Sequence, residues 1–185
     1  MQPPSRLARP AGFAVIAMGV SGSGKSTLGA LLARQLDCPF LEGDDFHDPH
    51  AIAKMSAGQP LTDDDRWPWL GRLGAAIGEA LTSDGCVVAA CSALRRRYRE
   101  RLREAIPAPA HFVLLEAGHD ELLRRLTRRS GHYMPAGLLD SQLATLERPG
   151  ADEAVFTLDA AAPPERLCEM TRAWLQEHAP NVLRI

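Results

Sequence analysis

Residues 18–27 read Met-Gly-Val-Ser-Gly-Ser-Gly-Lys-Ser-Thr, set between a β-rich apolar run, Phe13–Met18, and a stretch, 26–36, whose apolar residues recur at helical spacing. Gly19, four residues, then Gly24, Lys25 and Ser26 fit G-x-x-x-x-G-K-[ST], and strand, loop, helix is the order that this pattern requires. Glycines let successive backbone N–H groups turn toward phosphate oxygens without Cβ clashes, and the helix N-terminus adds partial positive charge. The loop is read as an anion cradle. Gly19, Ser21, Gly22, Ser23, Gly24, Lys25, Ser26 and Thr27 are expected to surround the phosphates of ATP. Lys25 would reach the β- and γ-phosphates as a catalytic cation, and the Ser26 hydroxyl would ligate Mg²⁺. A flexible Gly/Ser turn that binds nothing is the competing reading; the Lys-Ser offset and both flanks argue against it.

The rest of the chain continues the alternation. Further strands are expected at 39–42, 86–91, 111–116 and 154–159, with helices near 49–58, 67–82, 93–105, 120–129 and 164–177. This predicts an α/β fold: a five-stranded parallel sheet with helices on both faces, three layers in all. At 185 residues the chain suits a single domain, 13–185, preceded by a Pro-rich disordered tail, 1–12. Two arginines before the first apolar run resemble a signal peptide, but that run leads straight into the cradle, and cleavage there would destroy the strand. A formal net charge of −2 and a pI near 6.3 give no basic footprint for nucleic acid. No stretch reaches the roughly 18 apolar residues of a membrane span. Cys38, Cys86, Cys91 and Cys168 are scattered and form no C-x-x-C pair, as expected of reduced thiols in a cytoplasmic protein. A homodimer is the expected assembly.

Ligands of such sheets bind at the carboxyl ends of the strands, so the residues following each strand carry the chemistry. After the second strand, Asp44 is placed to orient an attacking hydroxyl, accept its proton or tie to Mg²⁺. Asp45 and Asp48 are also available as turn formers or caps. Asp44, Asp45, His47 and His50 could be read as a metal cluster, though the spacing is weak for zinc. In "PLTDDDRWPWL", Thr62 or Asp63 can cap a helix. Arg66, a cation near a helix N-terminus, calls for an anionic partner, either a neighbouring aspartate or a substrate group. After the third strand come Ser92 and the basic run Arg95, Arg96, Arg97, Arg99, Arg101 and Arg103. That run is read mainly as a solvated helix face partnered by Glu100 and Glu104, with Arg95 the exception. In the helix after the fourth strand, Arg125 and Arg129 share a face and lead into a glycine-containing stretch suited to a mobile lid at about 128–140.

The segments "GVSGSGKST", "GDDFH", "KMSAGQPLTDDDRWPWL", "CSALRRRYRERLRE", "RRSGHY" and "SQLATLERPGADE" together resemble the gluconokinase family of small P-loop kinases, in family order over nearly the whole chain. The resemblance implies a fold like that of nucleoside monophosphate kinases, strand order 2-3-1-4-5, ATP with Mg²⁺, and phosphorylation of D-gluconate at its 6-hydroxyl. It implies substrate contacts from Asp44, His47, Lys54, Arg66, Ser92, Arg95 and His132, a Mg²⁺ link through Asp44, nucleotide contact by Arg125, and a catalytic Arg129 in the lid. Gln142 and Glu147 fall on its "SQ…LE-x-P" segment, for which chemistry alone gives no role. Arg95 departs from the family, where lysine is frequent, and so does Glu42, where aspartate is. Without the resemblance the reading stops at a small-molecule kinase. A shikimate or nucleoside monophosphate kinase and a nucleotide-dependent regulatory ATPase are the alternatives.

Overall fold

The computed structural model describes residues 12–128 and 138–178. Strands β1 (Phe13–Met18), β2 (Phe40–Glu42), β3 (Cys86–Ala90), β4 (Ala110–Glu116) and β5 (Phe156–Asp159) form one parallel sheet in the order β2-β3-β1-β4-β5. The period-2 alternation of β1 explains the layering. Ala14, Ile16 and Met18 pack with Trp69, Leu73 and Ile77 of α3 (Asp63–Asp84) and Leu102 of α4 (Arg96–Ala105). Phe13 and Val15 point the other way, into a core shared with Leu28 and Leu32 of α1 (Lys25–Leu36) and Leu167 and Leu175 of α7 (Pro164–His178). Both faces are covered, as the near-continuous apolar strands predict. Among the described residues no helix is long and apolar enough to cross a membrane.

The elements depart from the sequence reading most clearly at α3, at β5 and after residue 138. Helix α3 starts at Asp63 rather than near Trp67, so Pro68 lies inside it. Thr62 and Asp65 form a capping box, and three acidic residues in the first turn complement the helix dipole, which favours the earlier start. Residues 154 and 155 precede β5, because Ala154 adopts φ 50° at the end of a short 3₁₀ turn, Ala151–Glu153. A helix the sequence reading lacked, α6 (Leu139–Thr145), occupies the end of the proposed lid range and continues beyond it. Leu138 and Leu139 are buried there, while Asp140 is exposed. Residues 129–137, which contain Arg129, His132 and most of that range, lie outside the described residues, as does the proposed tail up to Ala11.

The basic run on α4 is a correction in part. Arg96 pairs with Glu100, as a solvated face should, but Arg99 is fully buried. Its Nε and Nη2 donate to Glu153 at 2.6 and 2.8 Å, and Nη1 donates to the carbonyls of Ala93 and Leu94 at 3.2 and 3.3 Å. Helical periodicity puts Arg99 on the inner face between Tyr98 and Leu102, where only a paired charge is tolerated. The pair thereby holds the turn after β3, in which Ala93 has φ 42°.

Candidate active site

Two clefts meet at the carboxyl ends of β1, β2 and β3. One is lined by residues 21–28 of the glycine loop and α1, with Glu42, Arg125, Ala160, Ala162, Pro164 and Leu167. The other is lined by His47, Met55, Pro60, Leu61, Arg66, Ser92, Leu138, Ser141, Gln142 and Thr145. Ser21, Lys25 and Asp44 line both. A group bound in the first cleft therefore faces a group bound in the second across Lys25 and Asp44.

The first cleft fits a chain of phosphates. Gly19, Gly22 and Gly24 have φ of 139°, 81° and 97°, values that L side chains rarely adopt. A Cβ on Gly19 would stand 2.7 Å from the Leu115 carbonyl oxygen, whereas at Gly24 it would meet no protein atom within 4 Å and would occupy cleft space instead. No side chain caps the N-terminus of α1, so its first amides are offered to an anion. Lys25 Nζ is steadied by the Val20 carbonyl at 2.9 Å. Arg125, on α5 (His119–Arg128), donates to Glu121 at 2.6 Å and to the Ala160 carbonyl at 2.8 Å, bracing the turn after β5 that forms the far wall.

The wall of the second cleft is built from the turn after β2. Gly43 is required there by close approach: a Cβ would lie 2.2 Å from the Ala90 carbonyl oxygen. Its own carbonyl accepts the Trp69 indole N–H at 2.7 Å, and Trp69 stacks on His47 at 4.2 Å between ring centroids. His47 Nε2 stands 4.0 Å from Asp44 Oδ1, while Nδ1 is buried with no hydrogen-bond partner. Burial pulls the His47 pKa down to about 4 against the opposing pull of Asp44, so the imidazole is neutral at pH 7. Helix α2 (Pro49–Ser56) follows, capped by Asp48, whose side chain accepts from Ala51 N at 2.8 Å.

Arg66 makes no ion pair among the described residues of this wall. Its Nε is buried without a hydrogen-bond partner, its guanidinium lies 5.4 Å from the Tyr98 ring centroid, and burial lowers its pKa. The neighbouring aspartates are committed elsewhere. Asp63 takes the Tyr98 hydroxyl at 2.5 Å and pairs with Arg97, and Asp65 takes Lys54 Nζ at 2.6 Å together with the Thr62 cap. No described aspartate lies within ion-pair distance of Arg66, though the Asp63 charge still favours its protonated form.

The structure brings Asp44, His47, Arg66 and Ser92 together and leaves Lys54 and Arg95 off the lining. Lys54 is held by Asp65, and Arg95 lies 3.9 Å from Asp63. Among the described residues no group of three or more His, Cys, Asp or Glu could hold a metal, so the cluster reading of Asp44, Asp45, His47 and His50 is dropped. Sequence reasoning missed Ser141 and Thr145, the polar face of α6. It also missed how the "SQLATLERPGADE" segment acts, through partners far away in sequence. Gln142 Oε1 accepts Ser21 N at 2.6 Å, Glu147 accepts Arg96 N at 2.8 Å in place of a local cap on α4, Arg148 donates to Glu116 at 2.8 Å, and Glu153 pairs with Arg99. The segment is a strap over the strand ends.

The sheet order and the phosphate cradle place the chain among the P-loop kinases. A family profile described as an AAA domain matches residues 15–149. The chain is 47% identical over 155 residues to a gluconokinase of Gluconobacter oxydans, covering 84% of this chain and 86% of that one. A crystal structure of a gluconokinase from Sinorhizobium meliloti superposes with TM-score 0.79 at 46% identity, covering 94% and 97% of the two chains. An unliganded sugar kinase from Janibacter gives 0.84 at 42% identity, with 94% and 99% coverage. The chain belongs to the gluconokinase family.

Proposed function

We propose that the protein transfers the γ-phosphoryl group of ATP, bound with Mg²⁺, to the 6-hydroxyl of D-gluconate. The observation that carries this reading is the unpaired Arg66 in a polar cleft that shares Lys25 and Asp44 with the phosphate cradle. A linear polyhydroxy acid has one carboxylate for such a cation and several hydroxyls for His47, Ser92, Ser141, Gln142 and Thr145. Its relatives' names support the same acceptor.

In this reading the glycine loop and the N-terminus of α1 hold the phosphates, and Lys25 offsets the charge that develops on them. Asp44 orients the 6-hydroxyl for in-line attack and receives its proton. Because the transition state is loose, positioning precedes proton removal. Ser26, with Asp44 beside it, would hold Mg²⁺, which would supply positive charge to neutralise the phosphates. Neutral His47, fixed between Trp69 and Asp44, is available to hydrogen-bond an acceptor hydroxyl. The proposal includes Arg129 as a catalytic cation and His132 as a substrate contact, both outside the described residues. A coupled assay tests the acceptor: ADP release should be accelerated by gluconate and left unchanged by shikimate or a nucleoside monophosphate. The reverse pattern would discard the assignment.

A further inference from the structure

Gln142 stands where the two clefts communicate. Its Oε1 accepts the Ser21 N–H at 2.6 Å, a bond between residues 121 apart in sequence. Ser21 belongs to the corner common to both clefts, whereas Gln142 lines the acceptor cleft alone. The same helix touches the phosphate loop a second time: Leu139 packs in one apolar cluster with Val20, Leu94 and Leu122. The Val20 carbonyl is the one that steadies Lys25 Nζ. Just past α6, Glu147 N donates to the Leu94 carbonyl at 2.8 Å and Glu147 Oε2 accepts Arg96 N at 2.8 Å, so the C-terminal side of α6 is tied to the turn that carries Ser92. Helix α6 is thus fixed to the acceptor wall on one side and to the phosphate loop on the other, and Gln142 is the polar side chain that reaches from cleft to loop.

We propose that Gln142 is a positioning residue that couples occupancy of the acceptor cleft to nucleotide binding. An acceptor whose hydroxyls hydrogen-bond the Gln142 amide restricts that side chain to the rotamer that holds Ser21 N–H, and the loop is ordered before phosphate arrives. Phosphate against the loop fixes Ser21 and, through it, Gln142. The ordering cost falls on whichever ligand binds first, so the second binds more tightly, and the coupling is reciprocal by linkage. The bond is specific to an oxygen acceptor at this position; an apolar side chain of similar size fills the same space without holding the loop.

This inference rests on gluconate as the acceptor, and titration calorimetry separates the two claims. An unhydrolysable ATP analogue with Mg²⁺ is titrated into the wild-type protein with and without saturating gluconate, and the same is done with Gln142→Leu and Gln142→Met. In the wild type gluconate should tighten analogue binding by about 5-fold or more, the lower end of typical coupling. In both variants the ratio should fall to within about 2-fold of one, with gluconate binding still measurable and the melting temperature little changed. A wild-type ratio of one, with gluconate binding measurable, overturns the coupling by itself, whether or not the variants fold. An undiminished ratio in the variants, with a lowered melting temperature and weaker nucleotide binding, would make Gln142 a structural residue and also overturn it. No detectable gluconate binding to the free or the nucleotide-loaded protein would sink the acceptor assignment and this inference with it.

Discussion

Arg66→Met separates a substrate-binding cation from a structural one, because the two roles predict opposite signs for stability. Arg66 Nε is buried and unpartnered, and no described carboxylate lies within 4.0 Å of the guanidinium. In the absence of substrate the charge bears its desolvation with the Tyr98 face, 5.4 Å away, and the more distant Asp63 carboxylate as compensation. Methionine keeps the apolar stem and removes that charge, so the melting temperature should stay level or rise. Substrate binding should suffer. Truncating one partner of a desolvated, hydrogen-bonded charge pair costs about 2–4 kcal/mol, which lowers kcat/KM for gluconate roughly 30- to 1000-fold. The KM for ATP should move little, since Arg66 lines only the acceptor cleft. Glucitol, the same chain without a carboxylate, provides the internal control: the wild type should prefer gluconate strongly, and the variant should lose most of that preference. The assay is coupled ADP release with either acceptor, alongside thermal denaturation. A gluconate kcat/KM within about 3-fold of wild type, together with a melting temperature lowered by several degrees, would refute the reasoning and make Arg66 a structural cation.

Asp44→Asn should lower turnover by at least about 10² while ATP affinity changes little, and Asp45→Asn should stay within a few-fold of wild type; the opposite ranking in steady-state kinetics would assign the base to the wrong neighbour. Glu153→Gln leaves the Arg99 charge buried and should cost about 3 kcal/mol, a fall of about 6–12 °C in melting temperature, and the double variant Arg99→Met/Glu153→Leu should recover most of it. His47 is neutral in the native state down to about pH 4, whereas the unfolded chain binds its proton near 6.5. Its contribution is therefore fully present above pH 6.5 and is lost as pH falls from there toward 4, up to about 3 kcal/mol. Urea denaturation between pH 4 and 7 should show a shallower pH slope in His47→Asn than in the wild type, and equal slopes would contradict the assignment.

Much of this architecture is legible because its signals are local. The glycine loop between a strand and a helix, and apolar runs buried on both faces, give the sheet and the phosphate cradle without any long-range information. Asp44 and Ser92 follow from the rule that chemistry sits at strand ends. What sequence cannot show is which charges meet. Lys54 and Arg95 look as available as Arg66, yet Asp65 and Asp63 stand beside them, and only folding leaves Arg66 unpaired. Arg99 is hidden among five other arginines of its run, and its burial depends on Glu153, 54 residues away. Helix α6 is not legible in the sequence because its seven residues follow a Gly- and Pro-containing stretch, and its apolar positions acquire meaning only against Val20, Leu94 and Leu122. Gln142 and Glu147 act on backbone amides 121 and 51 residues distant, which no local pattern encodes.

Phosphorus NMR of the complete reaction tests the central claim most directly, since it identifies donor, product and position of transfer in one sample. With ATP, Mg²⁺ and gluconate, the γ-phosphate resonance should decline as a single phosphomonoester signal grows, one for each ADP formed. That signal should be split by the two protons of a methylene carbon, as phosphorylation of the 6-hydroxyl requires. Inorganic phosphate as the only product would reduce the protein to an ATPase, and a signal split by one proton would put the phosphate on a secondary hydroxyl; either result contradicts the account.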